Sequence, residues 1–182
     1  MRSSRSPAVF LDRDGTLIED RGDLRSPADV AFYPGTFSAL RLLGSRFKLF
    51  IVTNQSGVAK GKVTLDEVAA VNAQVVERLR GAGIEVTAVY VCPHQRSDGC
   101  ACIKPKPFFL KRAAIEHGVD LCRSFVVGDH PHDVDLARNA GATGIYVLTG
   151  HGSKHFPEIG EDETVVADIS EATAWIQAAD IL

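Results

Sequence analysis

Short apolar runs alternate along this chain with stretches of helical period. The runs Ala8–Leu11, Lys48–Thr53, Thr87–Cys92, Ser124–Gly128 and Gly144–Leu148 predict strands, and Thr164–Val166 a weaker sixth. Helices are predicted over Thr36–Leu43, Leu65–Arg80, Phe108–His117, Val134–Ala140 and Ser170–Ala179. Thr64 and Ser170 suit N-caps, and Thr64 with Glu67 completes a capping box. Gly44, Gly81, Gly118 and Gly141 suit helix ends. Strands alternating with helices predict an α/β fold, a parallel sheet covered on both faces. No repeat, low-complexity segment or boundary breaks the pattern, so residues 1–182 are expected to form a single domain.

Composition narrows the classes. Of 182 residues, 45% are apolar and 24% charged, which suits a globular chain with a full core. No apolar run reaches the length of a membrane span. The start, MRSSRSP, lacks the apolar region of a secretory signal. Net charge is −3 with no basic block beyond Arg2 and Arg5, so nucleic acid and membrane surfaces are not indicated as partners. A cytoplasmic location is expected. There cysteines stay reduced, and metal binding or packing outranks disulfides.

The candidate chemistry sits at strand ends. Asp12 and Asp14 close the run Phe10-Leu-Asp-Arg-Asp-Gly-Thr16 where the first strand leaves the sheet. Two acids so close repel unless a cation lies between them or one holds a proton. Such a pair suggests Mg²⁺, nucleophilic catalysis or both, and alone it reads equally well as a turn with Asx caps. Thr53-Asn54-Gln55-Ser56-Gly57 follows the second strand. Its hydroxyls and amides suit phosphoryl oxygens, or an ordinary polar turn. Gly128-Asp129-His130-Pro-His132-Asp133 follows the fourth strand, with Asp129 a candidate Mg²⁺ ligand. Asp133 reads as a supporting acid behind the ligands, as a further ligand, or as a helix cap. Lys104, between Ile103 and Pro105, offers an ammonium to a phosphate and to a charged nucleophile, or belongs to a solvated basic loop. Parallel strands bring their C-terminal ends to one edge, so these separate motifs converge on one site.

Cys92-Pro-His94 and, five residues on, Cys100-Ala-Cys102 place four soft or borderline ligands in eleven residues. Three Cys and one His suit a closed tetrahedral Zn²⁺ site. A disulfide or free core thiols are the alternatives. Cys122, between a helix and an apolar strand, reads as core. His117, His132, His151 and His155 read as surface or structural residues.

In this order, DxDGT, TNQSG, Lys-Pro and GDxxxD resemble the haloacid dehalogenase-like (HAD) phosphohydrolases across roughly residues 8–150. The resemblance implies a Rossmannoid three-layer α/β/α sandwich. It also implies Asp12 as nucleophile and Asp14 as acid and then base. Mg²⁺ would lie between the carboxylates of Asp12 and Asp129 and the backbone carbonyl of Asp14. Thr53 and Lys104 would bind the transferring phosphoryl group, with Asn54, Gln55 and Ser56 beside them.

The Cys-Pro-His and Cys-x-Cys loop narrows the resemblance to the heptose-bisphosphate and histidinol-phosphate phosphatases. These have no large cap domain and a structural Zn²⁺, here implied at Cys92, His94, Cys100 and Cys102. Two positions depart from those relatives: Ile103 stands where they commonly carry Arg, and His130 where they often carry Lys or Arg. Arg21 aligns with a substrate-facing loop, and a solvated loop charge is its equal alternative.

The expectation is a monomeric, Mg²⁺-dependent phosphomonoesterase acting on a small phosphorylated sugar, with heptose 1,7-bisphosphate favoured. The alternatives are histidinol phosphate or another small metabolite, a nucleic-acid 3′-phosphatase, and a non-catalytic phosphosugar-binding module. The missing basic stripe counts against the nucleic acid, and the complete acid set against the module.

Overall fold

Four apolar residues, Ala8–Leu11, form the central strand β1 and are wholly buried. Their side chains alternate between two cores, as the pleat requires. Val9 and Leu11 join one cluster, Ala8 and Phe10 the other. In the computed structural model, which describes residues 5–179, β1 lies inside a six-stranded parallel sheet. Its companions are β2 (Lys48–Asn54), β3 (Ala88–Cys92), β4 (Phe125–Gly128), β5 (Thr143–Val147) and β6 (Thr164–Val166). The order is β3-β2-β1-β4-β5-β6.

The helices are α1 (Thr36–Gly44), α2 (Leu65–Gly81), α3 (Phe108–Glu116), α4 (Pro131–Ala140), α5 (Gly152–His155) and α6 (Ile169–Ala179). Leu40 and Leu43 of α1, Val71, Val75 and Leu79 of α2, and Ile169 and Ile176 of α6 cover one face of the sheet. Phe109, Leu110 and Ala113 of α3 and Leu136 and Ala137 of α4 cover the other. The three-layer α/β/α architecture is the expected one. Only the loop 55–64 joins β2 to α2, which leaves no room there for a large cap. Among the described residues, no helix is long and apolar enough to cross a membrane.

The order places β1 and β4 side by side, Leu11 level with Val127. Chain connections depart in opposite directions from these two strands, and a crevice opens beyond their C-terminal ends. Asp12 and Asp129 emerge there from adjacent strands.

Several boundaries differ from the sequence reading. Helix α4 begins at Pro131, not Val134, because His130 and Asp133 form a reciprocal cap ahead of it. Helix α6 is capped by Asp168, not Ser170: Asp168 Oδ1 accepts from the backbone of Ser170 and Glu171 at 2.7 and 3.1 Å. Gly44 and Gly81 are the last residues inside their helices. The left-handed turn after α2 falls at Gly83 (φ +76°). The short α5 was not expected. Cys122 is exposed in a 3₁₀ turn, Leu121–Arg123, and is not core.

Phe50 of β2 stacks on Phe10 at 4.9 Å and on Tyr90 at 6.0 Å between ring centres. Replacing it by Ala opens a cavity in a wholly buried stack. Phe50→Ala is expected to lower stability by about 3–5 kcal/mol in urea denaturation. A loss under about 1 kcal/mol would mean that the layer beneath α3 collapses to fill the space.

Candidate active site

Asp12 is the first residue past β1, its backbone N–H bonded to Val127 of β4 at 2.9 Å. Its Oδ1 accepts from Lys104 Nζ at 2.6 Å, and the same ammonium donates to Asp133 Oδ1 at 2.7 Å. All three side chains are nearly inaccessible. Burial pulls the Lys104 pKa down, but Asp12 and Asp133 outweigh it and hold the ammonium above its ordinary range. Burial raises the Asp12 pKa, Lys104 opposes the rise, and Asp133 adds to it.

Asp129 follows β4. Burial pushes its carboxyl up to about 8, with Asp12 and Asp133 contributing repulsion. One carboxylate oxygen each from Asp12, Asp129 and Asp133 lie within 4.8 Å of one another. That much negative charge against one ammonium suits a further cation. Asp133 has both oxygens engaged, by Lys104 Nζ and by the backbone N–H of His130. Asp12 and Asp129 are therefore the better ligands, with Asp133 behind them. Glycines set the approach: a Cβ at Gly15 (φ +82°) would lie 2.0 Å from Asp129 Oδ2, and one at Gly150 (φ +54°) 2.3 Å from it. A side chain at either position would displace the carboxylate.

Asp14 faces elsewhere. Its carboxylate is not in that cluster. It accepts from Arg13 Nε and Nη2 at 3.0 Å and from Gln55 Nε2 at 2.8 Å. Burial raises its pKa, against the opposing charge of Arg13. Thr53 Oγ1 accepts from Gln55 Nε2 at 2.8 Å and lies 3.5 Å from Asp14 Oδ2. Gln55 thus supports Asp14. Asn54 Oδ1 accepts the backbone N–H of Lys104 at 3.2 Å and so ties the end of β2 to the lysine loop.

A cleft of about 600 Å³ covers this floor. Asp12, Asp14, Thr53, Asn54, Ser56, Lys104 and Asp129 line it, as the sequence predicts, together with Ile103 and His130. Lys60 and Arg96, which carried no signal in the sequence, also line it, as does Asp20 of the loop that holds Arg21. His132 and His151, read as surface or structural residues, also line the cleft, His151 from an exposed position. Burial lowers the His130 imidazole to about 4, with His132 and His155 adding to the shift, so the ring is neutral near pH 7. Arg21 is half-exposed and pairs with Glu19 at 2.8 Å; its neighbour Asp20 is the residue on the cleft wall.

Beside the cleft, Cys92, His94, Cys100 and Cys102 gather their ligand atoms within 4.8 Å. Cys102 Sγ lies 3.2 Å from Cys92 Sγ, 3.7 Å from Cys100 Sγ and 3.4 Å from His94 Nδ1. Tetrahedral bonds of about 2.3 Å to sulfur and about 2.0 Å to nitrogen would set ligands about 3.5–3.8 Å apart. The donors fit zinc. Burial pushes the Cys92 thiol up to about 12, so a bound metal would displace its proton.

This floor of strand-end carboxylates around a buried lysine is the arrangement of the HAD-like hydrolases, and residues 101–172 match the HAD-hydrolase-like family. The D-glycero-D-manno-heptose-1,7-bisphosphate 7-phosphatase of Thermosynechococcus vestitus is 36% identical over 93% of this chain and 95% of its own. The D-glycero-beta-D-manno-heptose-1,7-bisphosphate 7-phosphatase of Vibrio cholerae is 37% identical over 89% of this chain and 91% of its own. Among solved structures, the D,D-heptose 1,7-bisphosphate phosphatase of B. bronchiseptica, complexed with magnesium and phosphate, aligns with a TM-score of 0.87 at 32% identity. That alignment covers 95% of this chain and 99% of the other. The chain belongs to this family of HAD phosphatases.

Lys104→Met would leave Asp12 and Asp133 facing each other without their shared cation. A stability loss of about 3–5 kcal/mol is expected in denaturant titration at neutral pH. In the double variant with Asp133→Asn the loss should fall short of the sum of the two single losses. Additive losses would show that the two groups are not energetically coupled.

Proposed function

We propose that the protein is a Mg²⁺-dependent phosphatase that removes the 7-phosphate of D-glycero-D-manno-heptose 1,7-bisphosphate through an aspartyl-phosphate on Asp12. The carrying observation is the Lys104 ammonium shared by Asp12 and Asp133 beside Asp129, at the floor of a cleft. The substrate follows the names of relatives that align over nearly the whole chain.

Asp12 attacks phosphorus, and the bond to the sugar oxygen breaks as the bond to the carboxylate forms. Lys104 keeps Asp12 ionised and turned toward the cleft while neutralising charge on the phosphoryl oxygens. Asp14, whose burial raises its pKa, gives its proton to the leaving oxygen, so that the sugar departs as an alcohol. It then takes a proton from the water that opens the aspartyl-phosphate. Thr53, Asn54 and Ser56 line the wall where phosphoryl oxygens would lie. Asp12 and Asp129, with the backbone carbonyl of Asp14, would hold Mg²⁺. When bound, the ion supplies charge stabilisation to the transferring group.

Cys92, His94, Cys100 and Cys102 would hold a structural Zn²⁺. It would order the loop that carries Arg96 on the cleft wall and leads into Lys104. The protein acts as a single-domain monomer in the cytoplasm on a small phosphorylated metabolite, and takes no nucleic acid.

Phosphate release should be strong with one or both anomers of heptose 1,7-bisphosphate, weak with histidinol phosphate, and lost in Asp12→Asn or after Mg²⁺ is chelated. Turnover of histidinol phosphate above both heptose anomers would discard the substrate and keep the chemistry. Equal activity of wild type and Asp12→Asn would remove the nucleophile. For the second metal, purified protein should contain close to one zinc per chain by elemental analysis, and Cys102→Ser distinctly less. Wild-type zinc in that variant would show the cluster is not the site.

A further inference from the structure

Arg13 sits between Asp12 and Asp14 in sequence, yet its side chain does not enter the cleft. It is wholly buried, among the largest side chains to be so. Its Nε and Nη2 grip Asp14, and its Nη1 donates to Asn72 Oδ1 at 2.7 Å. Asn72 is itself buried, on the face of α2 where Val68, Val71 and Val75 pack. Helix α2 is fixed at its start by the reciprocal Thr64–Glu67 cap, at 3.1 and 2.7 Å. The Asp14 carboxylate is therefore tied through one planar guanidinium to a helix on the far side of the loop that follows β1. Gln55 holds it from the end of β2 at 2.8 Å.

A charged side chain is seldom buried so completely unless all its donors are placed. A guanidinium can fork onto a carboxylate and donate elsewhere in the same plane; an ammonium cannot reproduce that geometry. We propose that Arg13, anchored by Asn72, is a positioning residue that aims the Asp14 carboxyl at the leaving oxygen of the substrate. This rests on the reading of Asp14 as the acid.

The role has a signature that simple structural support lacks. As the Asp12 oxygen bonds to phosphorus, the phosphorus–oxygen bond to the leaving group breaks, and the proton passes from Asp14 to that oxygen. An alkoxide needs this proton; a nitrophenolate, far less basic, departs without it. The ratio kcat/KM covers steps only up to departure of the alcohol, so hydrolysis of the aspartyl-phosphate does not enter it.

The experiment compares kcat/KM for an alkyl and an aryl phosphate monoester, both turned over by wild type, in Asn72→Ala, Arg13→Lys and Asp14→Asn, with melting curves for each. General acid catalysis contributes about 10²–10⁴-fold, so a misplaced acid should lower alkyl phosphate turnover by about tenfold or more beyond aryl turnover. That selective loss is expected in Asn72→Ala and in Arg13→Lys, which keeps the charge but not the fork. Should Arg13→Lys fail to fold, Asn72→Ala still carries the test, since Ala favours the helix. Equal losses on both esters in Asn72→Ala and Arg13→Lys, alongside a selective loss in Asp14→Asn, would overturn the positioning role. Equal losses in Asp14→Asn itself would instead overturn the reading of Asp14 as the acid.

Discussion

One ammonium organises the floor of this protein. Lys104 Nζ lies within 2.7 Å of carboxylates that arrive from two adjacent strands, Asp12 after β1 and Asp133 on the helix after β4. Without it, three acids would meet in a buried space, and protonation or unfolding would relieve them. A buried ion pair of this kind adds little net stability against an apolar replacement, because both charges leave water. Its effect is placement. The Asp12 carboxylate is held by this contact at the mouth of the sheet.

The two acids of the first motif are only two residues apart, but they live in separate electrostatic settings. Asp12 belongs to Lys104, and Asp14 to Arg13 and Gln55. Pairing each carboxylate with its own cation lets one stay charged while the other can carry a proton, which is how neighbouring acids acquire different roles. Asp129 is the third case. It is packed against Gly15 and Gly150 and accepts one backbone N–H, from His151 at 2.7 Å. Burial, with repulsion from Asp12 and Asp133, pushes its pKa up to about 8.

The Cys/His loop is mechanically continuous with this floor. Cys92 ends β3, Cys102 stands two residues before Lys104, and Asn54 holds the lysine's backbone against β2. The four ligand atoms lie within 4.8 Å of one another in this loop, and Arg96 and Ile103 of the same loop line the cleft. Ile103 gives the cleft an apolar stretch of wall, and His130 is neutral near pH 7. The charged groups left on the rim are Lys60, Arg96 and Asp20.

Much of this was legible in the chain because it depends on local spacing. Among the described residues, all six strands and five of the six α-helices follow from apolar period and capping residues. The strand-end acids, Lys104 and the four soft ligands follow from motifs whose geometry is fixed within a few bonds. Asp133 reads as a supporting acid, a further ligand or a helix cap; in the fold one of its oxygens takes the capping N–H of His130 and the other accepts from Lys104. What tertiary structure alone decided is who faces whom. Arg13 carries no reading in the sequence; its anchor is found only where α2 brings Asn72 to it across fifty-nine positions. His132 on α4 and His151 after β5 come to line one cleft only in the folded chain. Cys122 lies outside the core because a 3₁₀ turn rotates it there. The sequence by itself determined the elements and the chemistry at their ends; the partner of each buried charge was set by packing between segments far apart in the chain, which no local pattern encodes.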